Sequence, residues 1–379
     1  MRVLFFSVSI GAGHDLAAQA LAREVESVDP RSVTKIVDTF RYINPVLNKV
    51  IVGSYMESLK FNPKIWGYLY DQAEDGDKFI DLSQVLSKLM SAKLEKLINE
   101  FAPDAIVCTH AFPAGMLSIL KNREKLTVPL LGVLTDFTVH PFWVHEYIDG
   151  YIIPAEELKY QFIAMGVAES KIKSFGLPIR REFQQKPDQQ SARAKLGLAK
   201  MTTVLVMGGG LGLGDMQNYL DILGNCDEKL QILCVAGKND RLRTSLELLS
   251  AKNPIRVLGF VDNIPELMAA SDFIISKPGG LTTAEVLAMG LPMLIITPLP
   301  GQEDRNTGFL LNGGVAVKVR KPEFLVATLK QLLNNPLRLD TMRQLAGYYG
   351  KPYAAQETVR YLEELVMQQN QSSTCQGGK

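Results

Sequence analysis

A histidine flanked by glycines follows the first apolar run of this 379-residue sequence. The segment SVSIGAGHDLAAQAL places Gly11, Gly13 and His14 between a strand predicted over Val3–Ser9 and a helix predicted over Asp15–Val28. Glycines let the backbone approach a ligand closely, and the free N–H groups at a helix start favour phosphate or a developing anion. An imidazole at this position can also act as a general base near neutral pH.

Other proton acceptors lie in the same half of the chain. Asp136 follows the strand predicted over Leu130–Thr135 and is the alternative base, although its carboxylate can equally orient a histidine or cap a loop. His140 and His145 stand slightly later in the sequence. The residue types alone leave the base open among these four candidates.

A second candidate site follows the strand predicted over Phe273–Ser276. The sequence SKPGGLTTAEVLAMG turns at Pro-Gly-Gly and then offers Thr282 and Thr283 as an N-cap region for a helix over Ala284–Met289. A diphosphate can bind there through helix N–H groups and threonine hydroxyls. Glu285, one turn into the helix, can accept two hydrogen bonds from a ribose diol.

Polar groups that suit a sugar and a leaving diphosphate lie in two further loops. The strand predicted over Met293–Thr297 is followed by PLPGQE, in which Gln302 and Glu303 can bind sugar hydroxyls. Arg180, in the segment GLPIR, is a cation available to the leaving diphosphate. Groups that bind a diphosphate, a diol and hydroxyls therefore follow consecutive strands, which favours a nucleotide-sugar site.

Two other motifs are less specific. GGGLGLG, which includes Gly209 and Gly210, matches neither the P-loop nor the dinucleotide-binding fingerprint, and it either forms a tight strand–helix turn or lines a nucleotide cleft. Asp75 and Asp77 reproduce the Asp-x-Asp of metal-dependent sugar transferases, but their polar surroundings, QAEDGDKF, favour a solvated turn. No other set of residues predicts a metal site.

Composition and charge narrow the class of protein. Hydrophobic residues make up 46% of the chain and charged residues 21%, which is enough for two buried cores. The formal net charge of +1 gives no general attraction to nucleic acid, so no nucleic-acid partner is expected. Four scattered cysteines suit a reducing cytosol. The sequence shows neither a signal peptide nor a run of about 20 apolar residues, which predicts a cytoplasmic protein.

An aromatic and basic stretch spans Arg41–Tyr70. Four basic residues stand there against one acid, interleaved with six aromatic residues. Basic groups attract anionic headgroups, and amphipathic aromatic residues favour the membrane interface. The stretch therefore predicts a peripheral position on an anionic membrane surface, at the inner face of the cell membrane. A pair of core helices with solvated lysines is the alternative interpretation.

Hydrophobic periodicity places these motifs in two α/β halves. Short β-branched runs alternate with amphipathic stretches, which is typical of βαβ units around parallel sheets. Strands are predicted at Val3–Ser9, Val33–Asp38, Ala105–Thr109, Leu130–Thr135, Gly150–Ile153, Thr203–Met207, Gln231–Ala236, Ile255–Gly259, Phe273–Ser276, Met293–Thr297 and Gly314–Lys318. The sequence thus predicts two Rossmann-like, doubly wound domains that face each other across a ligand-binding cleft.

The predicted division of the chain follows these patterns. We expect an N-terminal acceptor and membrane-facing domain at 1–175, a linker at 176–190, a C-terminal nucleotide-sugar domain at 191–350, a closing helix at 351–370 that can pack back on the N-terminal domain, and a disordered tail at 371–379.

Two long segments resemble a known family. GFVDNIPELMAASDFIISKPGGLTTAEVLAMGLP, followed by PLPGQEDRN, resembles the donor half of the family 28 glycosyltransferases, which have the GT-B fold. SIGAGHDLAAQAL and LTDFTVHPFWVHEYIDGYIIPAEELK resemble the monogalactosyldiacylglycerol synthases and, more closely, the bacterial processive diacylglycerol glucosyltransferases. The resemblance covers nearly the whole chain except the last ten or so residues.

The resemblance implies roles for individual residues. Uracil would pair with the backbone near Phe260 and Val261, ribose with Glu285, the diphosphate with Gly279, Gly280, Thr283 and Arg180, and the sugar with Gln302, Glu303 and Asn306. With Gly13, Gly209 and Gly210, these residues form the predicted donor site. His14 matches the family's glycine-flanked histidine on the acceptor side. Plant relatives carry an aspartate just before this glycine loop, whereas Ser7–Ile10 has no carboxylate, which leaves the base undecided.

The function implied by the resemblance is specific. A hexose, glucose rather than galactose, would pass with inversion and without a metal from UDP-glucose or UDP-galactose to the hydroxyl of diacylglycerol, in one or several rounds. The UDP-sugar is a substrate, and no cofactor is expected. The alternatives are a UDP-sugar epimerase, a glycosyltransferase with another lipid-linked or small-molecule acceptor, and a UDP-sugar-binding regulator.

Overall fold

The computed structural model describes residues 1–9, 12–44, 92–208 and 216–376. The chain divides into two compact units, one formed by Met1–Arg181 with Tyr353–Lys379 and the other by Glu182–Pro352. Each unit is built around its own six-stranded parallel sheet. The aromatic and basic stretch beyond residue 44, and Asp75 and Asp77, lie outside the described residues.

The first unit begins with the sheet order β2-β1-β3-β4-β5-β6. Its strands are β1 (Arg2–Ser7), β2 (Val33–Asp38), β3 (Ala105–Cys108), β4 (Leu130–Val133), β5 (Gly150–Ile152) and β6 (Ile172–Lys173). Its first helices are α1 (Gly13–Val28), α2 (Thr39–Ile43), α3 (92–101), α4 (Ala111–Asn122) and α5 (Glu157–Ala164). Strands β1, β3 and β4 are almost entirely buried, as continuous apolar runs in a parallel sheet covered by helices should be.

The second unit has the sheet order β12-β11-β10-β7-β8-β9. Its strands are β7 (Thr202–Met207), β8 (Leu230–Val235), β9 (Ile255–Leu258), β10 (Phe273–Ser276), β11 (Met293–Ile295) and β12 (Ala316–Lys318). Its helices are α6 (Gln189–Lys195), α7 (Met216–Asn225), α8 (Asp240–Glu247), α9 (Ile264–Ala270), α10 (Gly280–Ala288), α11 (Gln302–Asn312), α12 (Leu325–Leu333) and α13 (Pro336–Tyr349).

The last helix, α14 (Ala354–Gln376), returns to the first unit. Its Ala355, Val359 and Leu362 join Leu21 and Val25 of α1 in one buried cluster. Amphipathic spacing explains this, because 355, 359 and 362 recur on one face of a helix. The helix continues to Gln376, so the expectation of a disordered tail from residue 371 was wrong for its first six residues. The glycines that can end the helix come only at Gly377 and Gly378.

The prediction of two doubly wound α/β units is confirmed, and the predicted strands form with ends displaced by at most two residues. Two expectations need correction. Strand β6 was not predicted, because two residues are too few to show a period. Helix α10 begins at Gly280 rather than Ala284, since the extended backbone of Gly279 serves as its N-cap. Thr282 and Thr283 therefore lie within the helix.

Within the described part of the chain, no helix combines the length and apolar character needed to cross a bilayer.

We predict that Leu362→Ala lowers the free energy of unfolding of the first unit by about 2–5 kcal/mol, because a buried leucine leaves a cavity when truncated. Urea unfolding followed by tryptophan fluorescence reports on this unit, since Trp66 and Trp143 both belong to it. Met367→Ala is the control on the same helix. Its side chain is 61% exposed, so a change below about 0.5 kcal/mol is expected. Equal losses in the two variants would contradict the packing of α14.

Candidate active site

The first site lies where the first sheet changes the direction in which strands are added. Strand β1 has β2 on one side and β3 on the other, so its carboxyl end is the topological switch point of this sheet, where doubly wound folds form a ligand-binding crevice. His14, in the first turn of α1, follows β1, and His110 follows β3 as the N-cap of α4. We call His14, Thr109, His110 and Thr135 the histidine site.

Two hydrogen bonds fix the imidazole of His14. Its Nδ1 lies 2.8 Å from the backbone oxygen of Thr109 and 2.8 Å from Oγ1 of Thr135. A carbonyl oxygen can only accept, so Nδ1 must carry the proton in the neutral ring. The other nitrogen, Nε2, is then unprotonated and has no hydrogen-bond partner among the described residues. His14 is half-buried and offers a proton acceptor at the crevice.

His110 is a neighbour of His14 that the motif analysis missed. The two ring centroids are 4.8 Å apart in an edge-to-face arrangement. Nδ1 of His110 accepts a hydrogen bond from the backbone N–H of Phe112, so this ring carries its proton on Nε2. Burial, together with repulsion from His14, holds the pKa of His110 well below its usual range. A neutral imidazole therefore lies beside the candidate base.

The other two histidines have structural contacts. Nδ1 of His140 accepts from the backbone N–H of Phe142 and caps the short turn at Pro141–Trp143. His145 donates from Nε2 to the carbonyl oxygen of Phe142 at 2.9 Å, and its ring lies against Gly115 of α4. Burial lowers the pKa of His145. These contacts favour His14 over both as the base.

Asp136 and Asp15 are the acidic residues nearest in sequence to the histidine site. Asp136 follows Thr135 directly and is half-buried, so it stays a candidate to orient or assist His14. The carboxylate of Asp15 accepts hydrogen bonds from the hydroxyls of Ser7 at 2.5 Å and Ser9 at 2.8 Å. The stretch that lacks an acid in the sequence therefore has a carboxylate beside it, supplied by the first turn of α1.

The second site lies at the corresponding point of the second sheet. Strand β7 has β10 on one side and β8 on the other, so its carboxyl end is the topological switch point of this sheet. Gly279 caps α10 without a side chain, and a Cβ built there would meet nothing within 4 Å among the described residues. The first turn of α10 contains no acidic residue. We call its N–H groups and the hydroxyl of Thr283 the α10 site.

Thr283 carries the strongest sign of a missing ligand at the α10 site. The residue is fully buried, and its Oγ1 has no hydrogen-bond partner among the described residues. An unsatisfied buried hydroxyl is costly, so its persistence beside an open helix start fits a ligand oxygen as partner. Glu285 is also buried, two residues further along the same helix.

The start of α11 is held against the loop that leads into α10. Asn306 is fully buried and donates from Nδ2 to the carbonyl oxygen of Pro278 at 3.0 Å. Oε2 of Glu303 accepts from the N–H of Leu299 at 2.6 Å. Thr297 and Gly301 both have positive φ, at 37° and 91°, so the loop before Gln302 is sharply turned. The three predicted sugar-binding residues therefore share the first turn and a half of one helix.

The remaining predicted donor residues belong to different elements of the two units. Phe260 and Val261 lie in the loop after β9, where the Phe260 ring is 64% exposed and lies 5.2 Å from Nζ of Lys238. Arg180 belongs to the end of the first unit, after β6. Gly209 and Gly210 lie outside the described residues. Gly13 is the first residue of α1 and Gly280 the first of α10.

Sequence reasoning missed His110 and Lys277. Lys277 comes directly after the buried strand β10, and one residue separates His110 from the buried strand β3. A polar residue at such a strand end is a signal that can be used, because ligands bind at the carboxyl ends of parallel strands. His110 is preceded by the apolar run AIVC, and Lys277 by FIIS. Neither residue is adjacent to a glycine, so a glycine-rich motif does not identify it.

Comparison with known proteins shows the family of the chain. Residues 14–179 match the family model for monogalactosyldiacylglycerol (MGDG) synthase, and residues 203–358 match that for the glycosyltransferase family 28 C-terminal domain. The processive diacylglycerol beta-glucosyltransferase of Bacillus pumilus is 30% identical over 350 residues, which cover 90% of this chain and 89% of that protein. The chain belongs to the processive diacylglycerol glucosyltransferase family.

Solved structures show that this family 28 member has the GT-B fold, as predicted. MurG of Acinetobacter baumannii matches with a TM-score of 0.64 at 15% identity, over 96% of this chain and 99% of that one. The UDP-GlcNAc 2-epimerase of Neisseria meningitidis matches with a TM-score of 0.58 at 14% identity, over 96% and 100%. Two differently named proteins share the fold, so the family assignment and not the fold distinguishes a transferase from an epimerase.

We predict that Thr283→Val separates ligand binding from stability. The valine removes an unsatisfied hydroxyl, so the ligand-free protein should unfold at the same temperature or higher. UDP affinity should fall by about three- to tenfold, the value of one lost hydrogen bond. Scanning calorimetry and titration calorimetry measure the two effects.

Thr39→Val is the matched control for this substitution. Thr39 is equally buried, but its hydroxyl donates to the Ser7 carbonyl oxygen at 2.8 Å. This variant should lose stability and keep its UDP affinity. A Thr283→Val protein that loses stability while binding UDP normally would show that the hydroxyl serves the fold.

We predict that His110 makes stability depend on pH in the acid range. Because its folded pKa is lowered, unfolded chains bind this proton below about pH 6.5 while the folded protein does not. The free energy of unfolding should therefore fall as pH decreases below about 6.5, by at most about 1.4 kcal/mol per pH unit for one proton.

His110→Gln should make this pH dependence shallower, which urea unfolding at several pH values measures. The lowered pKa of His145 acts in the same direction and should leave a residual slope. Identical slopes in the wild type and His110→Gln would show that His110 is not held neutral by the fold.

Proposed function

We propose that this chain transfers a hexose from a UDP-sugar to the hydroxyl of diacylglycerol. The family assignment supports a glycosyltransferase of diacylglycerol, and the geometry of His14 supports an acid–base role for that residue. The observation that carries the proposal is the fixed tautomer of His14, with Nδ1–H bound to Thr109 and Nε2 left as a proton acceptor. This histidine begins the segment that matches the MGDG synthase model.

The proposed reaction is a single displacement with inversion. The acceptor hydroxyl attacks C1 of the sugar opposite the leaving UDP, while Nε2 of His14 removes the hydroxyl proton. The ring keeps its Nδ1–H bond to the Thr109 carbonyl oxygen throughout, which holds Nε2 in position. The leaving diphosphate gains negative charge, and the N–H groups and Thr283 hydroxyl of the α10 site can stabilise it.

The finer assignments rest on the family. The relative from Bacillus pumilus is named a beta-glucosyltransferase, which supports glucose over galactose and processive addition. Metal independence follows from a mechanism in which helix N–H groups and cationic side chains stabilise the diphosphate. A lipid acceptor also implies that the enzyme works at a membrane surface. The expected landing stretch, Arg41–Tyr70, falls mostly outside the described residues.

A product assay tests this proposal. Purified protein is incubated with diacylglycerol in mixed micelles and either UDP-glucose or UDP-galactose, with and without EDTA, and the lipid extract is analysed. We expect a glucosyl diacylglycerol series that EDTA does not abolish and that UDP-galactose does not support equally. Consumption of UDP-glucose without any glycolipid would contradict the acceptor, and a reaction lost with EDTA would contradict metal independence.

We predict that His14→Ala lowers kcat by about 10²–10⁴-fold, the usual contribution of a positioned general base. UDP affinity should stay unchanged, because the α10 site lies in the other unit. Initial rates and titration calorimetry separate the two quantities. Gln19→Ala, an exposed change on the same helix, is the control and should leave both values unaltered. An active His14→Ala enzyme would exclude His14 as the base.

A further inference from the structure

A buried lysine, Lys277, lies beside the α10 site at the carboxyl end of β10. Lys277 follows Ser276, the last residue of β10, whose hydroxyl donates to the carbonyl oxygen of Met207 at the end of β7. This bond fixes the strand end, so the position of Lys277 is well defined. The side chain is 9% exposed, and an ammonium group removed from water at this level needs a compensating negative charge.

The charge partner of Lys277 is a residue predicted to bind the sugar. Nζ of Lys277 lies 3.5 Å from Oε1 of Glu303, whose side chain is 17% exposed. A strong charge-assisted hydrogen bond would be about 2.7–2.9 Å long, so this pair is loosely joined. An ammonium has three donors, and Glu303 is the only group that Lys277 contacts among the described residues. Its donor capacity is therefore largely unused.

The surroundings of Lys277 are arranged for an anion. Lys277 stands three residues before Gly280, where the uncapped N–H groups of α10 begin. The unsatisfied hydroxyl of Thr283 belongs to the next turn of the same helix. The amide of Asn306 holds the start of α11, and with it Glu303, against Pro278. The Lys277 ammonium, the uncapped N–H groups of α10 and the unsatisfied Thr283 hydroxyl thus belong to one short segment, residues 277–283.

We propose that Lys277 is a diphosphate-binding residue whose charge is held by Glu303 until the nucleotide-sugar arrives. The incoming diphosphate takes the ammonium, and Glu303, released from its cation, turns to the hydroxyls of the hexose. The ligand is a nucleoside diphosphate carrying a sugar, so the inference rests on the proposed function and deepens it.

Titration calorimetry of the full chain with uridine and with UDP tests this role. Uridine has no phosphate, so its affinity reports the nucleoside contacts alone. Lys277→Met alone leaves the Glu303 carboxylate without its cation. The main variant is therefore the double substitution Lys277→Met/Glu303→Gln, which removes both charges. It should bind UDP about tenfold or more weakly than the wild type and bind uridine equally well.

Two single variants complete the experiment. Lys277→Arg keeps the charge and should bind UDP within about threefold of the wild type. Glu303→Gln frees the ammonium in advance, so it should bind UDP more tightly than the wild type does, and the ratio of its UDP-glucose affinity to its UDP affinity should fall below that of the wild type. Unfolding curves of all variants confirm that the second unit is folded.

The outcomes distinguish this inference from the proposed function. If the Lys277→Met/Glu303→Gln protein binds UDP as the wild type does, or loses uridine and UDP affinity equally, Lys277 is a structural residue and the inference is overturned while the donor class stands. If the wild type binds neither UDP nor UDP-glucose, the proposed function fails and takes the inference with it.

Discussion

Each sheet adds strands first on one side of its first strand and then on the other, and this change of direction decides where ligands can bind. In the first unit β2 and β3 flank β1, and in the second β8 and β10 flank β7. In doubly wound sheets, ligands bind at the carboxyl ends of the strands at this point. His14 and His110 occupy one such point, and Lys277 and Gly279 the other. The chemistry follows from topology before any individual side chain is considered.

Hydrogen bonding turns this placement into function. A carbonyl oxygen at Nδ1 determines which nitrogen of His14 can accept a proton, and a neutral His110 lies beside it. At the second point the protein leaves groups unsatisfied: an uncapped helix start, the Thr283 hydroxyl and a loosely paired lysine. Unsatisfied polar groups reduce the stability of a fold, and sites of function are where proteins retain them.

The sequence predicted the strands, the two α/β units and the family because these depend on local patterns. Strand runs such as AIVC and FIIS are continuous and apolar, and glycine-rich turns mark the helices that follow them. What it could not predict depends on distant parts of the chain. His14 meets Thr109 and Thr135 across about a hundred residues, and Glu303 meets Lys277 across 26 residues. The helix start at Gly280 was missed for a local reason, since a glycine cap has no side chain to identify it.

Measuring the tautomer of His14 tests most directly whether its Nε2 can accept a proton. The chain has four histidines, and their hydrogen-bond partners place the proton on Nε2 in His110, His140 and His145 and on Nδ1 in His14 alone. Nitrogen NMR of protein labelled with ¹⁵N-histidine, well above the ordinary histidine pKa of about 6.5, distinguishes the two forms. His14→Asn assigns the signal. We expect one ring protonated at Nδ1, which belongs to His14, and three rings protonated at Nε2. A His14 ring protonated at Nε2 would contradict it, because that nitrogen could not then accept the proton of the acceptor hydroxyl.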